Sequence, residues 1–245
     1  MNLQKKNILI TGGTRGFGLG LASAFANEGA NVAIVSRHVK DLNRVRSDFS
    51  KKGIKMHTIE ADVGKKDHTY EIAAQVFEAL GSVDILVNNA ATLGVNSLRL
   101  LLDTDCEDLE KAIQTNLVGS FRLMKAVAGS MFLRGGGDII NISSDASKNP
   151  YPTWGAYSIS KAGLDILTEI MAKESAFSGI RFIRVDPGEM DTDLHEQALP
   201  DSKKSELSDP FTVAKVFIDY LSQQNMEHSF RNLVFDSKTG FRNIL

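Results

Sequence analysis

Tyr157 and Lys161 stand four residues apart in a segment of helical pattern, so a phenol and an ammonium share one helix face. An unperturbed phenol, with a pKa near ~10, exchanges protons poorly at neutral pH. A neighbouring ammonium favours the phenolate and lowers that pKa, which makes proton exchange with a substrate oxygen feasible. Such pairs are common on solvated helix faces, and alone this one says little. Its company says more. Ser143 and Ser144 close an apolar run shortly before Tyr157, and ligands bind where the strands of an open α/β sheet end.

A second constellation lies near the N-terminus. Thr11-Gly12-Gly13-Thr14-Arg15-Gly16-Phe17-Gly18 follows an apolar run and precedes Leu19, Leu21, Ala22 and Phe25 at helical spacing. Strand, glycine-rich turn and helix is the context in which glycines signal a dinucleotide site. Gly12 permits the tight turn, and Gly16 lets backbone N–H groups approach a pyrophosphate at the helix N-terminus. Gly18 is expected to let the helix pack closely on the sheet. The spacing departs from G-x-G-x-x-G, with glycines at 12, 16 and 18. The next apolar run ends Val35-Ser36-Arg37, where an NAD site places an acid for the ribose hydroxyl. Ser36 cannot play that part. Arg37 and Arg15 offer planar forks suited to a phosphate. The cofactor expected is therefore NADP(H), ahead of NAD.

The elements that position these residues are short β-branched runs alternating with helical segments, the pattern of a parallel sheet wrapped by helices. Strands are predicted at 7–11, 31–36, 55–60, 83–88, 138–143, 181–186 and 232–235. Helices are predicted at 18–28, 40–51, 65–80, 105–133, 153–176 and 212–222. The fold class is a single-domain, Rossmann-like α/β protein: a doubly wound, mostly parallel, seven-stranded sheet with helices on both faces. All 245 residues fit one such domain. The patternless stretch 188–210, bounded by Pro187 and Pro210, is expected to be a substrate-binding lid or short helices. A net charge of −2 gives no reason to expect nucleic acid. No apolar run reaches the ~20 residues of a membrane span, and the first residues run too quickly into a strand for a secretory signal. A cytoplasmic protein is expected, and lone Cys106 fits a reducing compartment.

Taken in order, these motifs resemble the short-chain dehydrogenase/reductase family over nearly the whole chain. Thr11–Gly18 matches its T-G-x-x-x-G-x-G, Asn88-Asn89-Ala90-Ala91 its N-N-A-G, and Asn116 its helix asparagine. Ser144, Tyr157 and Lys161 complete the catalytic tetrad, the family's serine standing 13 residues before its tyrosine. The resemblance implies hydride transfer between a nicotinamide and a carbonyl or secondary alcohol carbon. In it Ser144 holds the substrate oxygen, Tyr157 gives or takes the proton, Lys161 binds the nicotinamide ribose and tunes Tyr157, and Asn116 holds a water. It also implies cofactor contacts from Gly12, Thr14, Arg15, Gly16, Phe17, Gly18, Ser36 and Arg37, from Asp62 and Val63, and from Asn89, Ala90 and Ala91. Tyr157, Lys161, Pro187, Gly188, Met190 and Thr192 belong to the same set. The family associates as dimers or tetramers through its two long helices, here 105–133 and 153–176. Two alternatives stay open: an NAD-dependent alcohol dehydrogenase, and a non-catalytic NADP-binding sensor or scaffold on the same fold.

Other residues invite less. His38, His57, His68, His195 and His228 lack metal-ligand spacing, so no metal is expected. His195 reads as a solvated loop histidine and Asp145 as facing water. Tyr151 and Trp154 either line a pocket or pack. Asp186 stands where the family often has Asn. The partner expected is a small carbonyl or alcohol substrate, with neither nucleic acid nor membrane.

Overall fold

The computed structural model describes residues 2–223 and 230–244, and His228 lies outside them. Seven strands run parallel in the order β3-β2-β1-β4-β5-β6-β7: β1 (Asn7–Thr11), β2 (Asn31–Ser36), β3 (Met56–Glu60), β4 (Ile85–Asn88), β5 (Gly137–Ile142), β6 (Ile180–Asp186) and β7 (Phe230–Asp236). An eighth, β8 (Gly240–Asn243), returns antiparallel along β7 and corrects the expected count of seven. The turn between them is built by Asp236, whose Oδ1 accepts from the backbone N–H groups of Lys238 and Thr239. Gly240 leaves it at φ +77°.

Continuous apolar strands are covered on both faces, as they must be in a parallel sheet. Ile8 and Ile10 of β1 face one layer, formed by α1 (Gly16–Asn27), α2 (Val39–Ser50) and α8 (Pro210–Gln223), where Phe25, Leu42 and Phe217 are buried. Leu9 faces the other, where Ile72 and Val76 of α3 (Lys66–Leu80) pack beside Leu123 and Val127 of α5 (Gly119–Leu133). Alternate residues of one strand thus serve opposite cores. Among the described residues no helix is long and apolar enough to cross a membrane.

The long helix expected at 105–133 is broken. α4 (Cys106–Ala112) runs into a wide π-type turn over Ile113–Val118 before α5 begins. Gly119 lies so close to Val63 that a side chain there would overlap the Val63 carbonyl. Asn116, inside the wide turn, bonds the backbone of Thr92 in both directions, through Oδ1 from its N–H and Nδ2 to its carbonyl, each at 2.9 Å. These two tertiary constraints displace the regular ladder. The stretch 188–210 holds a short helix, α7 (Asp193–Ala198), which Thr192 caps by accepting from the His195 N–H.

Behind α6 (Gly155–Glu174) lies a buried ionic network. Arg184 of β6, 5% exposed, reaches Asp165 at 3.2 Å and Glu169 at 3.3 Å, and donates from Nε to Asn232 Oδ1 at 2.9 Å. Asp165 in turn accepts from Ser147 Oγ at 2.5 Å, on the turn that follows Ser144. Removing one member of such a buried pair strands the other charge. Arg184→Leu should therefore cost about 3–5 kcal/mol of unfolding free energy in urea titration. A loss under about 1 kcal/mol would mean that water screens Asp165 as it does a surface ion pair.

Candidate active site

A cavity of about 650 Å³ opens along the carboxyl ends of β1, β2, β4, β5 and β6. All the expected cofactor residues line it: 12, 14–18, 36, 37, 62, 63, 89–91, 157, 161, 187, 188, 190 and 192. Ser144 joins them. Asn116 does not line it and sits behind the wall, 1% exposed.

At the first end, Gly12 and Gly16 adopt φ +66° and +51°, a region that favours glycine. Gly18 serves the turn more than the sheet: a side chain there would overlap the Gly12 carbonyl and the Asn89 amide. Asn89 stitches that approach, donating from Nδ2 to the carbonyls of Thr11 (2.9 Å) and Gly12 (3.2 Å). Thr11 Oγ1 accepts the N–H groups of both Asn89 and Ala90 at 3.0 Å. The glycine turn and the segment after β4 are thus one rigid unit, which leaves N–H groups at the start of α1 free to meet an anion.

The cations are distributed differently from expectation. Arg37 is half-exposed, its nearest carboxylate oxygen being Asp62 Oδ2 at 3.9 Å. Arg15 instead donates to Asp193 Oδ2 at 2.8 Å, bridging the glycine turn to α7. Arg44, absent from the sequence reading, donates from Nη2 to the Thr14 carbonyl at 2.9 Å. Its position on α2, seven residues past Arg37, carries no motif. Thr14 Oγ1 donates to Ser36 Oγ at 3.2 Å, joining the ends of β1 and β2.

At the other end, Tyr157 and Lys161 begin α6 and are 7% and 2% exposed. Lys161 Nζ donates to the Ile142 carbonyl at 2.5 Å and lies 5.5 Å from the centre of the Tyr157 ring. Burial pushes the Lys161 ammonium down to about 8, against the pull of Asp165 and Asp186. Burial pushes the Tyr157 phenol strongly up; a hydrogen bond with Ser144 opposes this, and the carboxylates of Asp186, Asp145 and Asp165 add to it. The expected lowering of the phenol by Lys161 is therefore not the dominant influence in the chain alone. Asp186 is itself raised by burial, and its Oδ1 accepts from the Gly188 N–H at 3.0 Å, a bond that Asn would also make.

One reading changes and two gain detail. Both amide protons of Asn116 are committed, to the Thr92 carbonyl and to Ser160 Oγ at 2.8 Å. Asp145 lines the cavity, accepting from Tyr151 Oη at 2.7 Å and from Ser144 Oγ at 3.1 Å. His195 is not a solvated histidine: both ring nitrogens are inaccessible, without a hydrogen-bond partner, and the residue lines the cavity. Trp154 lines it too, edge-on to Tyr157 with centres 5.8 Å apart. Glu189 and Leu194 also line it and were missed, since nothing in 188–210 distinguishes them by pattern.

The chain matches the family model for "short chain dehydrogenase" over residues 6–203. It is 32% identical over 192 residues to glycine betaine reductase ATRR of Emericella nidulans, covering 78% of this chain but only 15% of that protein. It is 35% identical over 203 residues to the 3-oxoacyl-[acyl-carrier-protein] reductase FabG of Staphylococcus epidermidis, covering 82% of each. Among solved structures, an alcohol dehydrogenase from Thermococcus sibiricus complexed with 5-hydroxy-NADP superposes with a TM-score of 0.83 at 26% identity, covering 94% of this chain and 95% of that one.

The Lys161 burial has a measurable sign. Below about 8 the ammonium is charged in both folded and unfolded chains, and its desolvation cost is carried in full. Between about 8 and 10.5 only the unfolded chain holds the proton, so this residue's contribution to stability rises with pH. The unfolding free energy of wild type minus that of Lys161→Met should climb across that window, Tyr157 being common to both chains. A flat difference would mean that the ammonium is solvated in the fold.

Proposed function

We propose that this chain, which belongs to the short-chain dehydrogenase family, is an NADP(H)-dependent oxidoreductase acting on a ketone, an aldehyde or the matching alcohol. Family membership carries the coarser statement, an oxidoreductase working on carbonyl or alcohol carbon. The observation that carries the finer one is the sharing of a single cavity by the glycine turn and Arg37 with Ser144, Tyr157 and Lys161.

The residues fit a dinucleotide. Gly12, Gly16 and Gly18 cradle a pyrophosphate at the start of α1, and half-exposed Arg37 takes the 2′-phosphate. The solved relative that holds an NADP derivative supports the choice over NAD. When bound, the nicotinamide supplies or accepts the hydride. Everything else falls to the chain. Ser144 donates to the substrate oxygen, and Tyr157 passes its proton to that oxygen in reduction and recovers it in oxidation. Lys161, held on the Ile142 carbonyl, sets positive charge beside the ring where the phenolate forms. Asn116 is a positioning residue, joining Thr92 and Ser160 to the floor of α6. A buried phenol raised well above its ordinary value holds its proton when idle, and gives it up only as negative charge develops on the substrate oxygen.

In this reading the described chain is one nucleotide-binding domain with 188–210 as its lid. The Arg15–Asp193 pair supports that role, since it ties α7 to the glycine turn across the cavity mouth. Ile159, Ile166 and Ile170 leave an apolar stripe exposed on α6, with Phe132 and Leu133 exposed at the end of α5. That supports a homodimer or homotetramer through these helices. A non-catalytic sensor would have no use for a buried, mutually oriented phenol and ammonium.

Two measurements test the reading. Tyr157→Phe should lower kcat/KM by about 10²–10⁴ for ketones, sugars, pteridines or quinones that the wild type reduces, while NADPH binds as before. Retained turnover would remove Tyr157 from the role. Arg37→Ala should weaken NADPH binding about tenfold or more and leave NADH unaffected, as loss of a charge-assisted phosphate contact requires. Tighter binding of NADH than NADPH by the wild type would overturn the cofactor assignment.

A further inference from the structure

The two ends of the cavity differ in charge. Arg15, Arg37 and His38 gather where the glycine turn meets β2. Beyond Tyr157 the lining changes to Asp145, Glu189, Tyr151 and Trp154, with Asp186 beneath them. The basic charge among the described residues at this end is Lys161, which is spent on the Ile142 carbonyl. Arg15 reaches toward the lid but is neutralised by Asp193 at 2.8 Å. Asp145 and Glu189 both act on the same group, the Tyr151 phenol, which the Asp145 hydrogen bond and charge raise first and Glu189 raises further. Two carboxylates therefore face one aromatic rim with no cation between them.

Two further polar side chains line the same cavity. Ser143, 4% exposed, lines the cavity with its hydroxyl unpartnered. His195, on 188–210, has both ring nitrogens inaccessible and without a hydrogen-bond partner. Buried polar groups without partners are rare, and a rearrangement of 188–210 on binding would open these to one.

Resting on the oxidoreductase reading, we propose that the substrate is a cationic amino ketone, or the matching amino alcohol, whose charged nitrogen sits between Asp145 and Glu189 against the rings of Tyr151 and Trp154. Closing 188–210 over a neutral ketone would desolvate two carboxylates with nothing to compensate them. An anionic substrate would add repulsion. A cation removes the cost and gains the faces of the aromatic rings. It also has a second effect, through Ser144. That hydroxyl donates to Asp145 Oδ1. A cation competing for Asp145 frees the Ser144 proton for the substrate oxygen, so recognition of charge and orientation of the carbonyl are one event.

Trp154, the chain's only tryptophan, lines this end and serves as the reporter. Protein saturated with NADP⁺ is titrated with three ketones of similar shape: acetonyltrimethylammonium, neutral methyl neopentyl ketone and anionic acetoacetate, with dissociation constants read from Trp154 fluorescence. The cation should bind at least about tenfold tighter than the neutral ketone, and acetoacetate more weakly than both. In Glu189→Gln, and separately in Asp145→Asn, the cation-to-neutral ratio should fall severalfold; a ratio of two ligands on one protein is insensitive to a partly unfolded sample. Equal or tighter binding of the neutral ketone or of acetoacetate overturns the proposal, as does a ratio unchanged in both variants. Failure of NADP⁺ to bind overturns the underlying oxidoreductase reading as well, and shows in the cofactor titration before any ketone is added.

Discussion

An ammonium buried to 2% exposure and held at 2.5 Å by the last carbonyl of a strand is the constraint around which this molecule is arranged. A charge out of water must be hydrogen-bonded or it will not stay charged. Ile142 ends β5, so Lys161 takes the last carbonyl of that strand. That bond fixes the first turns of α6 against β5, and with them the phenol one turn earlier. One turn further along the same face Asp165 meets Arg184 and Ser147, which anchors the turn carrying Ser144. One helix stripe thus carries the acid–base pair and, a turn later, the clamp for the third side chain.

The cost of this arrangement is electrostatic. Asp145, Asp165 and Asp186 all bear on the phenol, and the net field there opposes its ionisation. Asp165 is committed to Arg184, whereas Asp145 and Asp186 face the cavity. A site with surplus negative charge waits for its compensation from outside.

Much of this was legible because the motifs are local and fall at strand ends. The glycine turn closes β1, Asn89 follows β4, Ser144 follows β5 and Pro187 follows β6, so a parallel sheet with those strands adjacent must bring them together. The seven parallel strands were legible too. β8 was not: four residues with Phe241 as the one buried side chain leave no period to detect. Nor was the break in the long helix, whose cause is a bond from Asn116 to Thr92, 24 residues away. His195 was misjudged for a related reason. Its inaccessible ring nitrogens sit on α7, which rests through Leu194 and Ala198 on Leu93 and Val95, an arrangement no local pattern encodes.

The wide turn at Ile113–Val118 sets the rotational phase of everything after it. Each helical residue advances the chain by about 100°, so excising one residue there would swing the stripe Leu123, Met124, Val127 and Met131 away from the sheet. The number of residues at 113–118 is therefore fixed by the packing on either side of it. Between Ala112 and Gly119 the fold keeps count.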